Sequence, residues 1–293
     1  MSLEEIISFF ECPNQTPLQK IEDKITKTYQ VNLYIKRLDL VHPLISGNKF
    51  YKLKHNLINA KRLNFNKLIT FGGAYSNHIY AVSAAGKILG FDTIGIIRGN
   101  ELNEKSSKTL EFANANGMKL HFVSRDEYRK KEEIISNFSD AYVIPEGGTN
   151  QFAIDGIKDI ELDKKADFIC TSFGTGGTSA GILEKYGKKS QIIAFSSLKI
   201  KPEEVRDEIL KLTQINSQKL MVNTDFSFGG YGKIDSTLKE FILKFEMDNK
   251  IQLDPVYTGK MMFGVYELIK NSFFKEKQTI IVIHSGGLQG RNF

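Results

Sequence analysis

The amino-acid sequence predicts an α/β protein of two interwoven domains with mainly parallel, twisted sheets. Three observations carry that prediction. From Asn66 onward, short apolar runs alternate with helical patterns, the signature of strand–helix units. Several runs are continuously apolar, such as Ile94-Gly95-Ile96-Ile97 and Ile280-Ile281-Val282-Ile283, which suits strands covered on both faces. Three of the strand ends run into loops crowded with glycine and hydroxyl residues, where open parallel sheets gather their functional groups.

In chain order, a helical pattern follows Lys49, and strands are expected over 67–71, 93–97, 118–123, 142–144, 167–173, 191–195 and 279–283. Helices are expected over 77–89, 104–116, 127–137, 151–160, 178–186, 234–248 and 260–274. The chain has 293 residues, enough for one or two packed domains. Residues 52–140 are expected to close a small domain, with 1–51 and 141–293 forming a larger one. No Pro/Ser-rich linker marks the crossings, so a cleft between them would lie beside Lys49.

Composition excludes several classes. Apolar residues make up 41% and charged residues 25%, ordinary globular values. The net charge of +6, from 40 basic and 34 acidic residues, is spread along the chain without a basic block, so no nucleic-acid partner is expected. Cys12 and Cys170 stand far apart without a Cys-x-x-Cys pattern, which points to neither disulfide nor metal site. The acidic N-terminus leads to no long apolar stretch, and a cytoplasmic protein without membrane contact is expected.

Four loops carry candidate chemistry. Gly72-Gly73-Ala74-Tyr75-Ser76-Asn77-His78 closes the strand at 67–71. Ser76 suits a helix N-cap, and the neighbouring backbone N–H groups suit a carboxylate. His78 stands on the first helical turn. Gly174-Thr175-Gly176-Gly177-Thr178-Ser179-Ala180-Gly181 links the strand at 167–173 to the next helix. Its glycines let successive N–H groups face one anion at a helix N-terminus, so a phosphate is the natural guest. A dinucleotide fingerprint fails because Ser179 occupies the third glycine position, and no Gly-Lys-Ser/Thr completes a P-loop. Leu253-Asp254-Pro255-Val256-Tyr257-Thr258-Gly259-Lys260 turns into the helix at 260–274. Asp254 reads as a turn former, and Tyr257 as a core aromatic or a phenol that moves a proton. Tyr231, flanked by glycines, is a second phenol, and His284-Ser285-Gly286-Gly287 ends the last strand.

These motifs, in this order, resemble the fold-type II pyridoxal-phosphate enzymes related to the tryptophan synthase β subunit. Within them they resemble the 1-aminocyclopropane-1-carboxylate deaminase and D-cysteine desulfhydrase group. The stretch 33–40 followed by Ser46-Gly47-Asn48-Lys49 is similar to the group's strand and cofactor lysine, with Ser46 where glycine is more common. The resemblance implies pyridoxal 5'-phosphate carried on Lys49, a small amino-acid substrate and a homodimer. It further implies that Asn77 bonds the ring hydroxyl and that Ser76, Asn77 and His78 form the substrate-carboxylate loop. Gly174, Thr175, Gly176, Gly177 and Thr178 would hold the phosphate, Tyr231 and Tyr257 would face the substrate, and Thr258 and Ser285 would sit by the pyridine nitrogen. Deaminases of the group place glutamate where this chain has Thr258. A carboxylate there stabilises a pyridinium and a stronger electron sink than hydroxyls can. The expected activity is therefore β-elimination from D-cysteine or a related compound, giving a 2-oxo acid, ammonia and sulfide. The rivals are 1-aminocyclopropane-1-carboxylate deamination and a cofactor-binding protein without turnover.

Overall fold

The structure is a computed structural model that describes residues 1–213, 215 and 218–291. Its strands are β1 (Leu18–Ile21), β2 (Asn32–Lys36), β3 (Lys67–Gly72), β4 (Asp92–Arg98), β5 (Lys119–Val123), β6 (Tyr142–Ile144), β7 (Phe168–Phe173), β8 (Gln191–Ser196), β9 (Leu220–Asn223) and β10 (Thr279–Ile283). They form a six-stranded sheet in the order β1-β2-β10-β7-β8-β9 and a four-stranded sheet in the order β5-β4-β3-β6. β1 runs antiparallel to β2, and the other neighbours are parallel. β6 pairs with β3, so membership of the smaller sheet extends through Ile144, beyond residue 140.

The continuous apolar runs have a direct physical cause. Along β10, Ile281 and Ile283 enter one core cluster and Ile280 and Val282 the other. Leu68 and Ile97 likewise face away from Ile69, Ile94 and Ile96 in the smaller sheet. Successive side chains point to opposite faces, and both faces are covered, so neither set can be polar. Helices Asn77–Leu89, Gly177–Tyr186, Ser236–Asn249 and Thr258–Lys270 supply much of that cover.

Several helices differ from their expected bounds because caps override periodicity. Ser107 accepts from Leu110 N–H, so the helix expected from residue 104 starts at Lys108. The one expected over 127–137 divides into Arg125–Arg129 and Lys131–Ser136, with Lys130 out of helical conformation between them. Asp254 accepts from Tyr257 N–H and Thr258 N–H, which starts the last long helix at Thr258 and fulfils the turn role read for that acid. Elements not foreseen are the helix Leu3–Glu11 with its Ser2 capping box, β1, the short helix Lys24–Thr28, the helix Pro202–Lys211, and β9. Among the described residues no helix is long and apolar enough to cross a membrane, and no group of acidic, His or Cys residues could hold a metal.

Candidate active site

The C-terminal ends of β3, β7 and β10 open on a cavity of about 610 Å³, and the first turn of the helix Asn48–Arg62 reaches into it. Gly47 makes this convergence possible. A Cβ there would lie 1.9 Å from the Ser285 carbonyl oxygen, and its φ of 67° is one that side-chain-bearing residues avoid. The lysine loop therefore lies directly on the loop after β10, with Asn48 N–H donating to the Ser285 carbonyl at 3.2 Å. Lys49 follows on the cavity wall. Its Nζ donates to Asn48 Oδ1 at 2.9 Å, and Asn48 in turn donates to the Thr178 hydroxyl at 2.8 Å. Burial draws the Lys49 ammonium down to about 8, partly opposed by the Asp254 carboxylate.

The loop after β7 has the form of an anion cradle. Gly176, at φ 79°, caps the helix Gly177–Tyr186 without any side-chain hydrogen bond, which leaves first-turn N–H groups without a cap. Cβ atoms at Gly174 and Gly177 would lie 2.9 Å from the Tyr257 ring and 3.0 Å from Lys52 Nζ. Lys52 is 2% exposed, and its ammonium donates to the Gly147 carbonyl and the Thr149 hydroxyl, each at 2.9 Å. Burial first and the Lys49 charge second hold Lys52 well below the usual lysine range. No carboxylate lies within ion-pair reach of Lys52 among the described residues. Thr149 and Thr175 share a 2.6 Å hydroxyl contact at the rim.

On the opposite wall, the Ser76 hydroxyl accepts from Ile79 N–H at 3.3 Å and caps the helix, while Ser76 still lines the cavity. The Gln289 amide donates to Asn77 Oδ1 at 2.7 Å, leaving the Asn77 NH2 group as a donor for the cavity. His78 is buried; its Nε2 lies 2.8 Å from the Thr70 hydroxyl, which itself donates to the Ile144 carbonyl. A hydroxyl has one proton to give, so Nε2 carries the hydrogen and Nδ1 keeps a buried lone pair. Burial, then Lys49 and Lys52, holds His78 neutral, well below its ordinary pKa.

Tyr257 and Tyr231 meet edge to face with centroids 6.0 Å apart. Burial raises Tyr257 well above the usual phenol value, and it raises Tyr231 although 43% of that residue remains exposed. The Tyr231 loop is fastened by Lys260, which is 1% exposed and donates to the Ser227 and Gly230 carbonyls at 2.8 and 2.7 Å. Thr258 is fully buried behind the wall, and its hydroxyl lies 3.3 Å from that of Ser285, which is 3.3 Å from Ser172. His284, equally buried, has Nε2 2.7 Å from the Gln252 carbonyl and accepts from Gly286 N–H at 3.2 Å, which fixes the Ser285 turn.

An amine at the wall, an uncapped helix start backed by a buried cation, and a hydroxyl cluster fit an aldehyde, a phosphate and a pyridine ring on one ligand. A profile of the family described as "Pyridoxal-phosphate dependent enzyme" matches residues 10–286. The chain belongs to that family. Pyridoxal-phosphate enzymes similar to it include a Pyrococcus horikoshii protein provisionally named 1-aminocyclopropane-1-carboxylate deaminase, 31% identical over 95% of this chain and 91% of its own length. An Arabidopsis thaliana mitochondrial bifunctional D-cysteine desulfhydrase/1-aminocyclopropane-1-carboxylate deaminase is 30% identical over 88% of this chain and 73% of its own. A crystal structure of an ACC deaminase homologue superposes with a TM-score of 0.80 at 27% identity, covering 99% of this chain and 95% of that one. The fold is that of the fold-type II pyridoxal-phosphate enzymes, and the chain is a pyridoxal-phosphate-dependent lyase.

The cavity brings together Lys49, Ser76, Asn77, His78, the 174–178 loop, Tyr231, Tyr257 and Ser285. Thr258 reaches it only through Ser285. Residues that pattern reading passed over are Asn48, Lys52, Gln289 and Lys260. The spacing of Lys52 three residues after Lys49, on one helix face, is the single signal that could have found any of them.

Proposed function

We propose that this enzyme eliminates a β-substituent from a small amino acid in the manner of a D-cysteine desulfhydrase, releasing a 2-oxo acid, ammonia and, from cysteine, sulfide. The observation that carries this reading is the hydroxyl pair Thr258–Ser285, 3.3 Å apart at the end of β10. Asp254, the acid of that loop, commits both carboxylate oxygens to the backbone N–H groups of Val256, Tyr257 and Thr258. The pyridine nitrogen would thus meet hydroxyls rather than a carboxylate. A weakly charged ring is a weaker electron sink; thiolate departure tolerates that better than cyclopropane opening.

When bound, pyridoxal phosphate supplies the sink for the Cα–H bonding pair. Lys49 would carry it, and the free Lys49 amine would take the Cα proton. With its ammonium drawn down to about 8, that amine is within reach of neutral pH as a base. Lys52 and the 174–178 loop would hold the phosphate, and the Asn77 amide would donate to the ring hydroxyl. Ser76 with the following N–H groups, above the neutral His78, would seat the substrate carboxylate. Tyr257 keeps its proton across the working pH range and can pass it from Oη to the leaving group, with Tyr231 closing the same wall. The remaining parts of the reading are a homodimer, checked by light scattering, and a location in the cytoplasm without nucleic-acid or membrane partners.

Cofactor-loaded protein assayed with D- and L-cysteine, β-chloroalanine and 1-aminocyclopropane-1-carboxylate tests the reading. Sulfide and 2-oxo acid from cysteine are expected. Release of 2-oxobutanoate from the cyclopropane, without sulfide from cysteine, would establish the ring-opening rival named by the relatives. No turnover of any compound would leave a cofactor-binding protein.

A further inference from the structure

Beside the main cavity lies a second one of about 420 Å³, lined by Arg98, Arg125, Tyr128 and Arg129. Arg98 and Arg125 also line the main cavity, so the two adjoin at these side chains. Arg98 leaves the end of β4 and projects to within 3.8 Å of where a Cβ on Gly73 would stand, beside the Ser76–Asn77 loop. Its guanidinium stacks 5.6 Å from the centre of the Tyr128 ring. Neither Arg98 nor Arg125 has a carboxylate within ion-pair distance among the described residues, whereas Arg129 is paired with Asp126 at 3.1 Å.

Tyr128 supplies an independent observation. It is 3% exposed and lines this pocket; its hydroxyl has no partner at ordinary hydrogen-bond distance, and the Glu146 carboxylate is the acid it interacts with. A buried hydroxyl without a partner costs free energy unless something fills its place. Burial first and the nearby Glu146 second keep the phenol protonated and therefore a donor. Glu146 is itself neutralised by Lys131 at 2.6 Å, and Lys131 lies over the Tyr128 ring. Glu101 is the one acid on the cavity wall without a paired cation, so the two free guanidiniums outweigh it. Two unpaired arginines at a cleft mouth, with a buried phenol beside them, are a donor set for a tetrahedral or planar oxyanion.

We propose that Arg98, Arg125 and Tyr128 form a subsite for a second acidic group on the side chain of the amino-acid substrate: a carboxylate, sulfonate or phosphate at or beyond Cβ. This rests on the elimination reading and extends it to substrates whose leaving β-substituent carries an anionic group. For O-phosphoserine the step balances without an added oxidant or reductant. The Cα–H and Cβ–O bonds break, a Cα=Cβ bond forms, phosphate leaves with the Cβ–O pair, and water converts the remaining enamine to pyruvate and ammonia.

The test uses calorimetry on the cofactor-loaded protein with O-phosphoserine, serine (both enantiomers of each) and inorganic phosphate. O-phosphoserine should bind about tenfold tighter than serine, the scale of one partly exposed charge-assisted contact, and inorganic phosphate should compete with it. In Arg98→Gln/Arg125→Gln the ratio should fall to about one, and Tyr128→Phe, which keeps the ring, should reduce it in part. An unchanged ratio in the double variant overturns the subsite. So does phosphate that binds at the arginines without displacing O-phosphoserine, since the pocket then serves a separate anion. Arginine-dependent preference without turnover of any compound supports the subsite and sinks the elimination reading instead.

Discussion

At the scale of single residues, the fold buries amines at the cavity wall and behind it, which disfavours their charged form. Lys49 and Lys260 are each drawn down to about 8, and Lys52 is held well below the usual lysine value, each chiefly through burial. Between pH 8 and 10 the unfolded chain binds more protons at these lysines than the folded one does, so stability must rise with pH across that window. The raised phenols of Tyr257 and Tyr231 reverse the sign only above their unfolded value near 10. The denaturation midpoint of cofactor-free protein should therefore be higher at pH 9.5 than at pH 8, and cofactor phosphate beside Lys52 should flatten the difference. Lys52→Met should weaken cofactor binding about tenfold to a hundredfold, the loss of one buried charge-assisted contact, read by titrating the visible absorbance of the bound cofactor. Lys49→Ala should abolish that band. Lys49 was legible because a phosphate loop and three other motifs accompany it in the sequence. Lys52 was less so: its spacing of three from Lys49 is the one local cue, and nothing else separates it from Lys54 and Lys61.

At the scale of elements, the site depends on loops held by neighbours distant in sequence. The Tyr231 loop has positive φ at Phe228, Gly229, Gly230 and Gly232, and the helix Thr258–Lys270 fastens it through Lys260. Tyr257 is the N-cap of that helix, so one element sets both phenols. Lys260→Met should lower kcat/KM about tenfold by misplacing Tyr231. Its effect should be non-additive with Tyr231→Phe in a double-mutant cycle; additive losses would place Lys260 outside this role. Gly47→Ala should cost about 3 kcal/mol, since the new Cβ meets the Ser285 carbonyl at 1.9 Å in an unfavourable φ, measured as a fall in the denaturation midpoint. The strand cores were readable because both faces of each sheet are apolar. Helix starts at Lys108 and Thr258 were not, because Ser107 and Asp254 cap from outside the periodic pattern. β1 lacks the continuous apolar run that betrayed the central strands, the helix Pro202–Lys211 buries only Val205 and Ile209, and β9 is a four-residue edge strand with partly exposed faces.

For the whole molecule, the mainly parallel two-sheet architecture followed from strand–helix alternation, but the assignment of strands to sheets did not. Local pattern says that β6 and β7 are both strands; only pairing shows that β6 joins β3 and β7 joins β8 and β10. The smaller sheet draws its four strands from one stretch of chain, whereas the larger one inserts β10, the last strand of the chain, between β2 and β7. Synthesis on the ribosome runs from the N-terminus, so the smaller sheet can pair its strands before β8, β9 and β10 are made. The larger sheet must wait, with β2 and β7 each exposing an unsatisfied edge until Thr279 to Ile283 emerges. Stalled nascent chains ending near residue 170 should already protect β3 to β6 from protease, and chains ending before Thr279 should leave β2 and β7 open to cleavage. The order of manufacture would then hold the lysine apart from its Ser285 turn, and so keep the catalytic centre unassembled, until β10 has been made.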